Sequence, residues 1–198
     1  MGKPSAALSF FRSFIQDPVS VGAFCPSSAA LSRRIVDSCD FSSSSTVVEL
    51  GPGTGAFTTS ILERLSTGSR FIAVEIDPRS ISLLRRRRLT GCEIIHGSAE
   101  DLPRFLNGNH ADCIISGLAW GNMSPQTQNR LMDVIQCSLA PGGQFVAFAY
   151  LHARWLPSSR HFRRRLARSF NCVESSPVVW RNLPPAYVYR CRLSHTAA

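Results

Sequence analysis

Glu49, Gly51, Gly53, Gly55 and Glu75 are the residues whose types and spacing bear most directly on chemistry. Residues 46–50 read as a buried strand running into Gly51-Pro52-Gly53-Thr54-Gly55, a turn that opens a helix. Residues 70–75 read as a second strand with Glu75 at its tip. Glycines let a backbone turn tightly and approach a ligand that side chains would obstruct. An acid at the tip of the neighbouring strand can accept hydrogen bonds from both ribose hydroxyls. Together these residues describe a nucleoside site. The plainer reading, a glycine-rich turn with no ligand, leaves the spacing of Glu75 without a purpose.

Dinucleotide sites place G-x-G-x-x-G at a helix N-terminus that faces a pyrophosphate. Here the glycines fall on alternate positions, and Glu49 stands two residues before the first. A carboxylate there repels a pyrophosphate and suits a cation with an amino group and a sulfonium. The expected cofactor is therefore S-adenosylmethionine. Glu49, Gly51, Gly53 and Gly55 match the E-x-G-x-G-x-G motif position by position, and the chain resembles the class I methyltransferases. That resemblance implies adenine packing by Ile76 and contacts to the cofactor from Ser98, Ala99, Ser116 and Gly117. Ser98 stands where related enzymes often carry Asp; Asp101 alternatively caps a short turn into Leu102-Pro103.

Alternation of strand and helix positions these residues. The pattern predicts helices over 5–16 and 29–39, then strand 46–50, helix 55–66, strand 70–75, helix 78–88, strand 92–96, strand 111–116, helix 124–138, strand 144–151 and helix 158–169. Strands 171–179 and 186–193 close the sheet as an antiparallel pair. The expected fold class is α/β: a Rossmann-like methyltransferase domain over 46–198, a seven-stranded and mostly parallel sheet with a C-terminal antiparallel hairpin. Residues 1–40 form a helical cap for substrate or membrane contact. Ser27 or Ser28 caps the helix that begins near Ala29.

The flanks carry a narrower resemblance. Phe14-Ile15-Gln16-Asp17-Pro18, Val21-Gly22-Ala23, Pro26-Ser27-Ser28, His96-Gly97, Ser116-Gly117-Leu118, Leu139-Ala140-Pro141-Gly142-Gly143 and Arg181-Asn182-Leu183-Pro184-Pro185-Ala186 together resemble the bacterial phospholipid N-methyltransferases, which methylate phosphatidylethanolamine. Where that family has a short loop, this chain carries Ala119-Trp120-Gly121-Asn122-Met123. The resemblance implies an acceptor site of Ser27, Ser28, Leu118, Trp120, Arg181 and Asn182. Tyr150, His152 and Asn122 are the polar candidates near the transferred methyl. Trp120 and Trp155 either cradle a methylated ammonium by cation–π attraction or form a hydrophobic lid. His152 has a suitable pKa for a base, with a plain surface histidine as the alternative.

Net charge is +9, and from Leu151 onward nine arginines face a single acid, Glu174. Arg85-Arg86-Arg87-Arg88 forms a second cluster. Basic patches favour anionic partners, here an anionic membrane surface or nucleic acid; runs such as Arg163-Arg164-Arg165 can also be solvated faces. The N-terminal stripe of Leu8, Phe11, Phe14 and Ile15 either dips into lipid or packs on the core. Mean hydropathy is zero, and no apolar run approaches the roughly 18 residues of a membrane span. Seven scattered cysteines without a C-x-x-C pair suggest free thiols in a cytoplasmic protein, held at most peripherally on a membrane. No metal is expected.

The reading that follows is S-adenosylmethionine-dependent N-methylation of a lipid amine. Methylation of a small metabolite is an alternative. Adenine methylation in rRNA ranks lower, because Ser116-Gly117-Leu118 replaces the N-P-P-Y loop of adenine N6-methyltransferases. A non-enzymatic cofactor-binding protein that docks on membrane or RNA is a further alternative.

Overall fold

The computed structural model describes residues 27–42 and 44–194. The predicted helix over 5–16 lies outside them. Helix α1 (Ala29–Asp37) starts at Ser28, whose hydroxyl accepts a hydrogen bond from the Leu31 amide. There follow β1 (Thr46–Leu50), α2 (Ala56–Leu62), β2 (Arg70–Glu75), α3 (Pro78–Arg86), β3 (Glu93–His96), α4 (Leu102–Phe105), β4 (Ala111–Ser116), α5 (Pro125–Ser138), β5 (Leu139–Tyr150), α6 (Pro157–Ser169), β6 (Cys172–Ser175) and β7 (Ala186–Arg192). Single 3₁₀ turns cover Ala99–Asp101, Trp120–Asn122 and His152–Trp155.

The seven strands lie in the order β3-β2-β1-β4-β5-β7-β6. β1 to β5 are parallel, while β7 runs antiparallel to both β5 and β6. Successive side chains of a strand point to opposite faces, and here both faces are apolar. Val48, Leu50, Ile72, Val74, Ile114, Phe145 and Ala147 face a core completed by α4, α5 and α6. Val47, Phe71, Cys113, Ile115, Val146 and Phe148 face the other, completed by α1 and α2. Strand order reverses between β1 and β4, so the crevice beyond their carboxyl ends is the natural ligand position.

Some boundaries differ from expectation. Leu31, Ile35 and Val36 of α1 are buried in the second core, so a boundary at residue 40 cuts through packed structure. α2 ends at Leu62, four residues early. β5 begins at Leu139, because Pro141-Gly142-Gly143 is absorbed by a register shift against β4 between Ala111 and Cys113. β6 stops at Ser175, just before Ser176-Pro177, and regular pairing beyond it is reduced to a lone bridge from Val179 to Ala186.

Candidate active site

The turn after β1 has all three glycines in the left-handed region, with φ of +69°, +56° and +82° at Gly51, Gly53 and Gly55. Their surroundings separate their tasks. A Cβ on Gly51 would lie 2.6 Å from Leu118 Cδ2, and one on Gly117 would lie 2.4 Å from the Gly51 carbonyl oxygen. At Gly117 the neighbour is backbone, so the loops after β1 and β4 approach this closely only with glycine there; at Gly51 the Leu118 tip can swing aside and the left-handed φ is the constraint. Around Gly53 no atom lies within 4 Å of a built Cβ, so its backbone borders open space. Gly55 sits under Arg87, whose Nη1 donates to the Thr54 and Gly55 carbonyls at 2.7 and 2.8 Å.

Two carboxylates support this turn. Glu49 is fully buried; its Oε2 accepts from the Thr58 hydroxyl at 2.7 Å, while Oε1 has no partner. Burial, opposed by the Thr58 bond and reinforced by the Glu75 charge, pushes its pKa up to about 8. Glu75 ends β2. Its Oε2 accepts from the Gly53 amide at 2.9 Å, and Oε1 accepts from the Ile76 and Asp77 amides at 2.8 and 3.0 Å. The acid expected to hold a ribose thus also braces the glycine turn. Ile76 beside it is 67% exposed, an apolar side chain open at the crevice. Ser98 caps the turn before α4 by accepting from the Glu100 amide, and Ala99 follows it half-buried. Ser116 is fully buried, and its hydroxyl accepts from Trp120 Nε1 at 3.0 Å and the Leu118 amide at 3.3 Å, so its side chain shapes the loop from inside.

Beyond β4 and β5 lies a cavity of about 270 Å³. Asn122, Phe148, Tyr150, His152, Leu156 and Ser159 line it. The three polar candidates expected near the methyl thus share one cavity. The Tyr150 and His152 rings stack with centroids 5.6 Å apart, and burial lowers the His152 pKa. Trp120 lines this cavity too, but chiefly as a core residue. It is 1% exposed, stacks on Phe162 at 4.4 Å, meets Phe145 edge-on, and satisfies its N–H at Ser116. Trp155 lies at the surface under the Arg154 guanidinium and is not part of a cage with it.

Sequence reasoning missed Gln128. Its buried Nε2 donates to the Trp120 carbonyl at 2.7 Å and the Ser158 carbonyl at 3.1 Å, joining the 120–122 turn to the start of α6. Its place on the inward stripe with Leu131, Met132 and Ile135 was the available signal.

Asn182 and Ser28 are also corrected. Asn182 is buried, accepts from the Ser28 amide at 2.9 Å and donates to the Pro184 carbonyl at 2.8 Å. The two flanking motifs meet each other, so both residues brace the loop before β7 against α1. Ser27 is half-buried and Arg181 exposed; neither lines the cavity. Leu118, half-buried, packs over Gly51 between the two halves of the site.

The arrangement fits a cationic nucleoside. Open space adjoins Gly53, an unpaired carboxylate oxygen sits on the strand beneath the turn, and an apolar side chain stands beside the Glu75 tip. Residues 47–143 match the model of a methyltransferase domain. The chain is 32% identical over 188 residues to an ornithine lipid N-methyltransferase of Singulisphaera acidiphila, covering 92% of this chain and 94% of that protein. A dimethyladenosine transferase of Yarrowia lipolytica is 46% identical over only 57 residues, 29% of this chain and 17% of its own length. Among solved structures, the N-methyltransferase NodS of Bradyrhizobium japonicum superposes with a TM-score of 0.61 at 18% identity, over 94% of this chain and 97% of that one. With its strand order, glycine turn and full-length relative in agreement, the chain belongs to the class I S-adenosylmethionine-dependent methyltransferases.

Proposed function

We propose that this enzyme N-methylates an amine-bearing lipid of the phosphatidylethanolamine or ornithine-lipid kind. The observation that carries the reading is the acceptor cavity. Its walls are largely apolar (Phe148, Ala149, Ala153, Leu156), and Asn122, Tyr150 and His152 supply its polar groups. The near full-length likeness to a lipid N-methyltransferase supports it. A second reading, methylation of a small soluble amine, draws on the cavity's volume of about 270 Å³, which matches a headgroup-sized molecule.

S-adenosylmethionine, when bound, supplies a methyl group on a sulfonium, open to in-line attack by a nitrogen lone pair. Glu75 would take the ribose hydroxyls, Ile76 would cover one adenine face, and the Ser98–Ala99 segment would meet the adenine edge. The 51–55 turn, with Glu49 beneath it and Gly117 across from it, would hold the amino-acid end. The acceptor needs a free lone pair, whereas an alkyl ammonium has a pKa of roughly 10. Apolar walls disfavour its charged form. His152, kept neutral at pH 7 by its lowered pKa, can accept the proton, while Tyr150 and Asn122 orient the nitrogen. Most of the acceleration comes from orientation and exclusion of water.

An anionic membrane is the proposed partner surface. Trp155 and Trp180, each 72% exposed, leave the sheet at the end where Tyr150 pairs with Ala186, with Arg154 and Arg181 adjacent in the chain. Among the described residues no helix is long and apolar enough to cross a membrane. The test offers purified enzyme and labelled cofactor to total bacterial lipid, soluble amines and total RNA in parallel. Label in the lipid extract, reduced about tenfold or more by H152A, is the expected result. Label confined to RNA or to soluble amines overturns the reading.

A further inference from the structure

A second cavity, of about 150 Å³, opens between the 152–155 turn, α6 and the β6–β7 pair. Leu151, Arg154, Arg163, Ser175, Tyr187 and Tyr189 line most of it, and no lining residue is shared with the acceptor cavity. One short stretch of chain serves both. Tyr150, His152 and Ala153 face the acceptor cavity, whereas Leu151 and Arg154 face the second.

The lining holds two cations and no carboxylate. Neither Arg154 nor Arg163 belongs to an ion pair of the described residues, although Arg64, Arg70, Arg130, Arg165, Arg190 and Arg192 all do. Arg154 instead lies over the Trp155 ring. Buried Tyr187 and Tyr189 place their hydroxyls 3.1 Å apart. Such a pair consumes one of its two protons, leaving the other to be donated outward. Burial and the Tyr187 bond hold the Tyr189 hydroxyl above its ordinary pKa, against the pull of Arg163 and Arg154, so it stays a neutral donor. Two guanidinium forks can present four N–H groups, and a phenol adds a fifth donor. A carboxylate accepts at about four lone-pair sites; a phosphoryl group has room for all five. Arginine forks also match phosphate geometry.

We propose that this cavity binds a phosphoryl group, through Arg154, Arg163 and the Tyr187–Tyr189 pair, at a site separate from methyl transfer. The group belongs either to a membrane phospholipid or to a soluble phosphate compound. The proposal does not depend on which acceptor the enzyme methylates.

The test uses the full chain and two double variants: R154Q/R163Q, and R160Q/R168Q, which removes the same charge from exposed α6 positions outside the cavity. Thermal unfolding is followed with inorganic phosphate against sodium chloride of equal ionic strength. Binding of vesicles of phosphatidylglycerol is followed by sedimentation. Phosphate should raise the Tm of the wild type and of R160Q/R168Q saturably, and the shift should vanish in R154Q/R163Q. If R154Q/R163Q alone also loses about tenfold or more in vesicle binding, the phosphate is a lipid's; if the two variants bind vesicles equally, it is a soluble compound's. A phosphate shift absent from all three proteins, or equal in the two double variants, overturns the proposal.

Discussion

The two halves of the candidate active site are built by different means. Around the tip of β1, contacts are made by backbone: glycines in the left-handed region, amides donating to Glu75, and Gly117 against the Gly51 carbonyl. Around the tips of β4 and β5 they are made by side chains: Trp120 stacked on Phe162, Gln128 linking carbonyls of two elements, and Tyr150 on His152. A backbone site tolerates few substitutions and fixes one ligand. A side-chain site can be reshaped by one loop, so the same fold can serve other acceptors.

Substitutions should separate the halves by what they disturb. The largest effect is expected from G117A, whose methyl would meet a backbone carbonyl that cannot swing aside. Cofactor affinity should fall beyond measurement by calorimetry, with about 1–3 kcal/mol lost in stability. Next, E75A should weaken the cofactor about 100-fold and lower the Tm as well, because three amides lose their acceptor; an unchanged Tm would contradict the bracing role. On the acceptor half, Y150F and H152A should lower kcat/KM by about 10- to 100-fold with cofactor affinity within twofold. Weakened cofactor binding in either variant would merge the halves. N182A should cost about 1–3 kcal/mol in urea unfolding by orphaning the Ser28 amide, while KM for the acceptor stays put. The smallest effect concerns pH. A raised Glu49 pKa favours the protonated carboxyl in the fold, so its contribution to stability is complete below pH 4.5 and is lost as pH rises through about 8. A cationic cofactor reverses that preference, and binding at pH 7 should release protons, seen as a dependence of binding enthalpy on buffer ionisation. E49Q should abolish that dependence.

The backbone half was legible in the sequence because glycines and acids at fixed spacing have few other uses. Strand faces were legible too, since Val47 and Val48 or Phe71 and Ile72 alternate between two apolar cores. The side-chain half was less so. Trp120 reads equally as cage or core, and only the position of Ser116 beneath its N–H shows how its ring is anchored at the cavity wall. The pairing of Ser28 with Asn182 spans 154 residues. Each motif was visible alone, but no local pattern shows that they meet. Pro141-Gly142-Gly143 reads as a turn outside the sheet, and only the irregular pairing with β4 explains how β5 continues through it.

The placement of β7 between β5 and β6 has a consequence for how the protein is made. β6 leaves the ribosome first but has no neighbour in the sheet until β7 arrives to separate it from β5. The strand that carries Tyr150 therefore keeps an open edge from its own emergence until Ala186–Arg192 is made, after residues 46–116 have already supplied the four parallel strands β1 to β4. A chain stopped short of β7 forfeits two strands at once, and we expect such fragments to aggregate through the bare edge of β5, not to survive as partly active enzyme.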